Sequence, residues 1–272
     1  MRGYAEIEHS PSAFKQVNKF EVKYFEVDTR VTSDGEIFVY HDSDFKSTDG
    51  IKTFNKMNGN QVKALAHSNG EGIATLLQAL TDFKAYSKGE QIFCIDIKDF
   101  GFEEVHLKVV RDVGVEDQVV FVSWIPQTLI RLSELGAQTP LILSHWNLKS
   151  FKWIGSLISR ALKNKTIKVG PFVLIGNNVA DHELGVLSHG FQHALVTTDI
   201  PNHLLEILKQ SRGGICVHTS VVQKRLRNYC SKNSLSLWVF SVTAVDEYTR
   251  YAKLPDVDVV FCDDAPTVSL NL

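Results

Sequence analysis

Cysteine is scarce in this chain and shows no pairing pattern: Cys94, Cys216, Cys230 and Cys262 are far apart and form no Cys-x-x-Cys. That excludes a disulfide framework and predicts buried free thiols in a reducing compartment. No apolar run approaches the ~18 residues of a membrane span, and Met1-Arg2-Gly3 does not open a secretory leader, so the expected location is cytoplasmic with no transmembrane segment. An excess of one charge is also missing. With 29 basic and 31 acidic residues the net charge is -2, which leaves no field for gathering nucleic acid. A Gly-rich phosphate loop, Gly-x-Ser-x-Gly and His-Glu-x-x-His are absent too, and with them any support for those chemistries. A small-molecule substrate fits what is left.

Of the 272 residues, 44% are apolar, enough for a sizeable core, and an α/β barrel of about 250 residues is a normal single domain. We therefore expect one domain over residues 1–272. The most informative stretch is residues 24–49. Alternation from Tyr24 to Asp28 puts Glu26 and Asp28 on one face of a strand and Phe25 and Val27 on the other. Ser33-Asp34-Gly35 is a hairpin signal, and the apolar run Ile37 to Tyr40 leads back to His41-Asp42, returning the imidazole toward the acids. Such carboxylates suit a hard cation, and an imidazole beside them exchanges a proton near neutral pH. Glu-x-Asp alone is common on exposed edge strands; the His-Asp pair beyond the turn is what favours a metal-assisted hydrolytic site.

Further along, Cys94, Asp96 and Lys98 share one face of a strand over residues 91–98, opposite Phe93, Ile95 and Ile97. Helical spacing over 105–113, a buried strand over 119–124, a helix from Pro126 to Leu135 and a strand at 141–143 continue a strand–helix alternation that points to a parallel sheet closed as a barrel. Residues 55–72 read as loop with a short helix at most, followed by a helix carrying Leu76, Leu77, Leu80 and Phe83 on one face. The pattern fades over 145–212, where only an amphipathic helix at 151–162 is expected and the strand-like runs 172–175 and 194–197 stay unassigned. It returns as strands at 214–218, 235–240 and 257–263.

The ordered set Glu26-Val27-Asp28, Thr32-Ser33-Asp34-Gly35, Phe38-Val39-Tyr40-His41-Asp42 and Thr48-Asp49-Gly50 resembles the signature of the glycerophosphodiester phosphodiesterase family. Arg2-Gly3 followed by Glu8 resembles that family's opening, Asp96-Ile97-Lys98 its Glu-x-Lys strand, and Trp238 with residues 257–263 its last two strands. The resemblance implies a (β/α)8 TIM barrel of the PLC-like phosphodiesterase type, with the site at the C-terminal strand ends. It also implies a small glycerophosphodiester substrate cleaved to glycerol 3-phosphate and an alcohol. Glu8, Glu26, Asp28 and Asp96 would hold one divalent cation, Mg2+ or Ca2+. Arg2 and Lys98 would bind phosphate oxygens. His41 would protonate the leaving alkoxide, with Lys98 as its catalytic companion. Trp238 would wall the substrate, or else be an ordinary core tryptophan.

Met1 stands where the family has its first catalytic histidine, and no strand precedes it, so the barrel is expected to lack its first strand and the sequence to be cut short there. The enzyme alternative is a lysophospholipase D. The alternative of another class is a non-catalytic phosphodiester-binding protein.

Overall fold

The computed structural model describes residues 10–15, 19, 21–47, 50–68, 72–145, 166–169, 172–175, 193–195 and 200–263. Its frame is an eight-stranded sheet. Seven strands run parallel in the order β1 (Tyr24–Val31), β5 (Ile92–Ile97), β6 (Val119–Ser123), β7 (Leu141–Ser144), β11 (Gly214–His218), β12 (Ser236–Val242) and β13 (Val259–Cys262). The eighth, β2 (Ile37–Val39), lies antiparallel on the outer edge of β1. Two smaller sheets stand apart: a hairpin of β3 (Asp44–Ser47) and β4 (Gly50–Thr53), and three strands, β8 (Thr166–Val169), β9 (Phe172–Ile175) and β10 (His193–Leu195). The undecided run at 172–175 thus falls outside the barrel sheet.

Helices follow the strands as a parallel sheet requires. Between successive parallel strands lie α3 (Leu76–Tyr86), α4 (Glu103–Val113), α5 (Pro126–Glu134), α6 (Asn202–Gln210), α7 (Lys224–Lys232) and α8 (Val245–Ala252); α1 (Pro11–Phe14) and α2 (Gly59–Ser68) complete the described helices. Both faces of the strands are buried, as expected for parallel strands under crossover helices. On β5, Phe93, Ile95 and Ile97 join the core beneath the helices, while Cys94 faces a second core with Val120, Val122, Ile142, Cys216, Trp238 and Val259. The sheet is curled around that second core. In a flat sheet β1 and β12, five steps apart, would be separated by roughly 24 Å; the rings of Tyr24 and Trp238 instead meet at 5.3 Å. The fold is a (β/α)8 barrel with seven parallel strands among the described residues, and no ladder there joins β1 to β13.

Two backbone positions make the curl possible. A Cβ on Gly213 would lie 1.9 Å from the Leu141 carbonyl oxygen, and one on Gly214 1.9 Å from that of Ser236, so β11 enters between β7 and β12 only without side chains there.

Two local expectations are corrected. Residues 59–68 form the ten-residue helix α2: Gln61, Lys63, Ala64, Leu65 and Ala66 favour helix, and Val62 and Ala66 pack under Phe38, Phe45, Phe54 and Met57. On α3 the buried face is Leu76, Ala79, Leu80 and Phe83, spaced i, i+3, i+4, i+7; Leu77, one residue off that stripe, is 52% exposed. The expected helix at 151–162 lies outside the described residues.

Candidate active site

The β1–β2 connection sets the site's first side chains. Gly35, at φ 83, turns the chain, and the Thr32 hydroxyl donates to Asp34 Oδ1 at 2.6 Å. Asp34 also accepts from the Gly59 N–H at 3.0 Å, tying the turn to α2. The Thr-x-Asp-Gly part of the motif is therefore structural. Its effect is to bring β2 back so that Tyr40 N–H donates to the Asp28 carbonyl and His41 follows at the strand ends.

Register places the acids together. Asp28 pairs with Asp96 and Glu26 with Cys94 across the parallel β1–β5 ladder. By alternation Glu26, Asp28, Asp96 and Lys98 all face the barrel interior at its C-terminal mouth, where barrel enzymes carry their active sites. One oxygen from each of Glu26, Asp28 and Asp96 lies within 4.8 Å of the others. Lys98 Nζ sits between two of them, 2.7 Å from Asp28 Oδ1 and 2.6 Å from Asp96 Oδ2. The other Asp96 oxygen, Oδ1, is buried with no hydrogen-bond partner among the described residues.

Three acids against one lysine leave a net negative charge, and the titration behaviour reports it. Burial, then Asp28 and Asp96, push Glu26 up to about 8. Asp96 is raised by burial, despite Lys98. Burial also works against the Asp28 anion, yet Lys98, His41 and Arg30 together hold that carboxyl below the usual carboxylate range. For Lys98, burial disfavours the ammonium, but Asp28, Asp96 and Glu26 outweigh it and keep the group charged. Clustered anions that raise one another's pKa, with one buried oxygen unsatisfied, make a donor set that fits a hard cation.

His41 is half-buried, and its Nδ1–H donates to Asp42 Oδ1 at 2.8 Å. That contact directs the ring's Nδ1 proton toward Asp42. The hairpin thus brings His41 close enough to bear on the charge of both Asp28 and Asp96. Trp238, by contrast, is 4% exposed in the inner core, its Nε1–H donating to Ser236 Oγ at 2.7 Å and its ring between Tyr24 and Phe261. It packs in the inner core with Val120, Val122, Ile142 and Cys216. Arg2, Glu8 and the tripeptide's Thr48 and Asp49 lie outside the described residues.

Several residues at the mouth were not singled out from sequence. Arg30, two residues beyond Asp28 on the same strand, donates from Nη1 to Asp99 Oδ1 at 2.9 Å and from Nε to the His41 carbonyl at 2.9 Å. Strand alternation could have flagged Arg30; nothing local marks Asp99. Across the mouth, His145 and His218, at the ends of β7 and β11, flank Phe240 with ring centroids 4.7 and 5.6 Å away. His145 has φ 59 and Ser241, next to Phe240, φ 63, both unusual for residues with side chains.

Parallel strands, outer helices and a carboxylate–lysine cluster at the strand ends are the arrangement of a barrel enzyme's active site. The profile of the glycerophosphoryl diester phosphodiesterase family matches residues 2–156, more than half of the chain, and the chain belongs to that family of phosphoric diester hydrolases. No curated protein matches it.

Solved structures agree on the fold. A glycerophosphodiester phosphodiesterase from Thermotoga maritima is 15% identical with TM-score 0.62, covering 100% of this chain and 96% of that one. One from Parabacteroides distasonis is 16% identical with TM-score 0.65, covering 99% and 93%. An Oleispira antarctica phosphodiesterase, solved with the product sn-glycerol-3-phosphate, is 15% identical with TM-score 0.65, covering 100% and 95%. Among the described residues no helix is long and apolar enough to cross a membrane.

Proposed function

We propose that this chain, one domain over residues 1–272, hydrolyses glycerophosphodiesters to glycerol 3-phosphate and an alcohol in a cation-dependent reaction. The observation that carries this reading is the cluster of Glu26, Asp28 and Asp96 at the barrel mouth, with Asp96 Oδ1 buried and unsatisfied beside Lys98. Those three acids would hold one divalent cation, Mg2+ or Ca2+, and Glu8 is the fourth ligand suggested by resemblance. When bound, such an ion offsets phosphoryl charge as a Lewis acid.

The remaining work falls to this chain's own side chains. Lys98 and Arg2 bind phosphate oxygens, Lys as a point charge and Arg through its fork. Either water attacks phosphorus directly, or the substrate's own 2-hydroxyl attacks to give a cyclic glycerol phosphate that water then opens to glycerol 3-phosphate; in each case the attacking oxygen's proton passes to solvent. The His41 imidazolium then passes its Nε2 proton to the departing alkoxide oxygen, and Asp42 on Nδ1 stabilises the charged ring until that transfer. Trp238, inward-facing on β12, would wall the substrate from below.

Release of glycerol 3-phosphate from glycerophosphocholine, with Mg2+ or Ca2+ and with excess chelator, tests the proposal. Turnover that survives the chelator removes the cation from it, and no release with either ion removes the activity. A second reading is favoured by one observation: Lys98 already occupies Asp28 and Asp96 at 2.7 and 2.6 Å, oxygens that a cation would share. On that reading the protein binds phosphodiesters without cleaving them, and calorimetric binding of glycerophosphocholine without product would establish it.

A further inference from the structure

Arg30 is the largest of the fully buried side chains, and its partner Asp99 has no exposure at all. Neither belongs to the cluster that would meet cation or phosphate. In the sheet, β1 lies between β5 and β2, so a side chain at the end of β1 can reach the ends of both neighbours. Arg30 does so. Its Nε–H donates to the backbone carbonyl of His41, beyond β2, and its Nη1 donates to Asp99 Oδ1, beyond β5, each at 2.9 Å. Asp99 Oδ2 in turn accepts the Val31 N–H at 2.8 Å, closing the link back to β1. Asp99 directly follows Lys98, and the carbonyl that Arg30 holds is His41's own.

We propose that the Arg30–Asp99 pair positions the reaction's two working groups, fixing the backbone of His41 against that of Lys98. This rests on the reading of His41 and Lys98 given above. Burial of an ion pair is poor evidence of a stabilising role, because apolar side chains of similar volume fill such a space as well or better. What they cannot do is hold a carbonyl and a carboxylate in one plane. A guanidinium does this through its rigid fork, and lysine, with a single point charge, does not. Proton delivery to a leaving oxygen is sensitive to displacements of about 1 Å, which cost on the order of 10²-fold in rate.

The test uses the full chain with Arg30→Met, Arg30→Lys and Asp99→Asn, following melting temperature, kcat and KM for glycerophosphocholine, and the His41 imidazole proton resonance, assigned by its absence in His41→Gln. In Arg30→Met we expect a folded protein with kcat down about 10²-fold, KM within about 3-fold, and the His41 resonance shifted or lost. Arg30→Lys should recover less than a tenth of the wild-type kcat. Asp99→Asn, which keeps the volume, carries the same expectations if Arg30→Met does not fold. A folded Arg30→Met with unchanged kcat and resonance overturns the proposal, and so does failure of both Arg30→Met and Asp99→Asn to fold, which would make the pair a stability element. If the wild type cleaves no glycerophosphodiester, the functional reading fails separately and the His41 resonance still decides whether the pair positions that ring.

Discussion

On the β1–β5 flank of the mouth, carboxylates and a lysine are held by a regular backbone; on the β7–β11–β12 flank, aromatic and imidazole rings are held by an irregular one. Glu26, Asp28 and Asp96 stand on strands in unbroken register, and Lys98, directly after β5, is joined to Asp96 and Asp28 by ion pairs of 2.6 and 2.7 Å. Opposite them, His145 takes φ 59, Ser241 takes φ 63, and the β12–β13 register shifts between Val239 and Val242. A bulge re-aims a side chain at modest cost, which suits apolar contacts of undemanding geometry. Charge clustered in a low-dielectric site allows no such looseness, since each group's ionisation depends on its neighbours' positions. On the proposed function, the charged flank would carry the chemistry and the ringed flank would shape the fit.

The sharpest way to break that contrast is to neutralise the charged flank. Glu26→Gln or Asp28→Asn should abolish calorimetric cation binding and lower kcat by about 10⁴-fold, the scale of several kcal/mol of charge stabilisation; retained turnover would make the cluster an incidental ion-pair network. Next in size, His41→Ala should lower kcat by about 10³-fold while KM stays within about 3-fold, because the phosphate contacts persist. Equal loss in kcat and gain in KM would place His41 in binding instead. On the ringed flank the expectation reverses: Phe240→Ala should raise KM about 10-fold and leave kcat within a factor of about 2, in line with the worth of a ring contact. A kcat defect there would erase the distinction between the flanks.

The smallest effect concerns pH in the cation-free protein. Glu26 titrates near 8 in the fold against an ordinary value of 4.5, so the folded chain binds that proton more tightly. Its contribution to stability is complete below pH 4.5 and lost as pH rises through 8, and the raised Asp96 acts in the same sense. Asp28, being lowered, loses its contribution only as pH falls below the ordinary carboxylate range, outside this window. Discounted for partial solvent screening, the loss between pH 5 and 8 is about 1–2 kcal/mol. Melting scans in chelator should show it, and Glu26→Gln should flatten the slope; a profile that rises with pH would contradict the anionic crowding.

How far these features could be read from the chain follows the same divide. Glu26 with Asp28, and Asp96 with Lys98, are neighbours in sequence, so strand alternation alone put each pair on one face. Their meeting needed only the order of consecutive parallel strands. The ringed flank draws His145, His218 and Phe240 from three strand ends far apart in the chain, and no local spacing announces it. Arg30 and Asp99 are 69 residues apart and are joined by the β1–β5 ladder. Trp238 reads equally well as wall or core because both readings require the same inward face; the structure adds its Ser236 contact and its packing against the Tyr24 and Phe261 rings. Helix α2 is hard to read for another reason: Gly59 and Asn60 at its start and the glycines after it mask the helix-favouring run Gln61 to Ala66, which packs under the aromatic cluster behind β2.

Gly213 and Gly214 mark a different kind of necessity. In a saturation scan for function, both positions would rank with Asp28 as intolerant of every replacement, although they touch no substrate and carry no charge. The two intolerances separate with temperature. An Asp28 variant is silent at any temperature at which it is folded, whereas a side chain forced against the Leu141 or Ser236 carbonyl prises β11 from its neighbours and yields a protein whose soluble fraction improves when it is expressed cold. Scanning at two temperatures would therefore sort the mouth's chemistry from the fold's clearances without knowledge of the substrate.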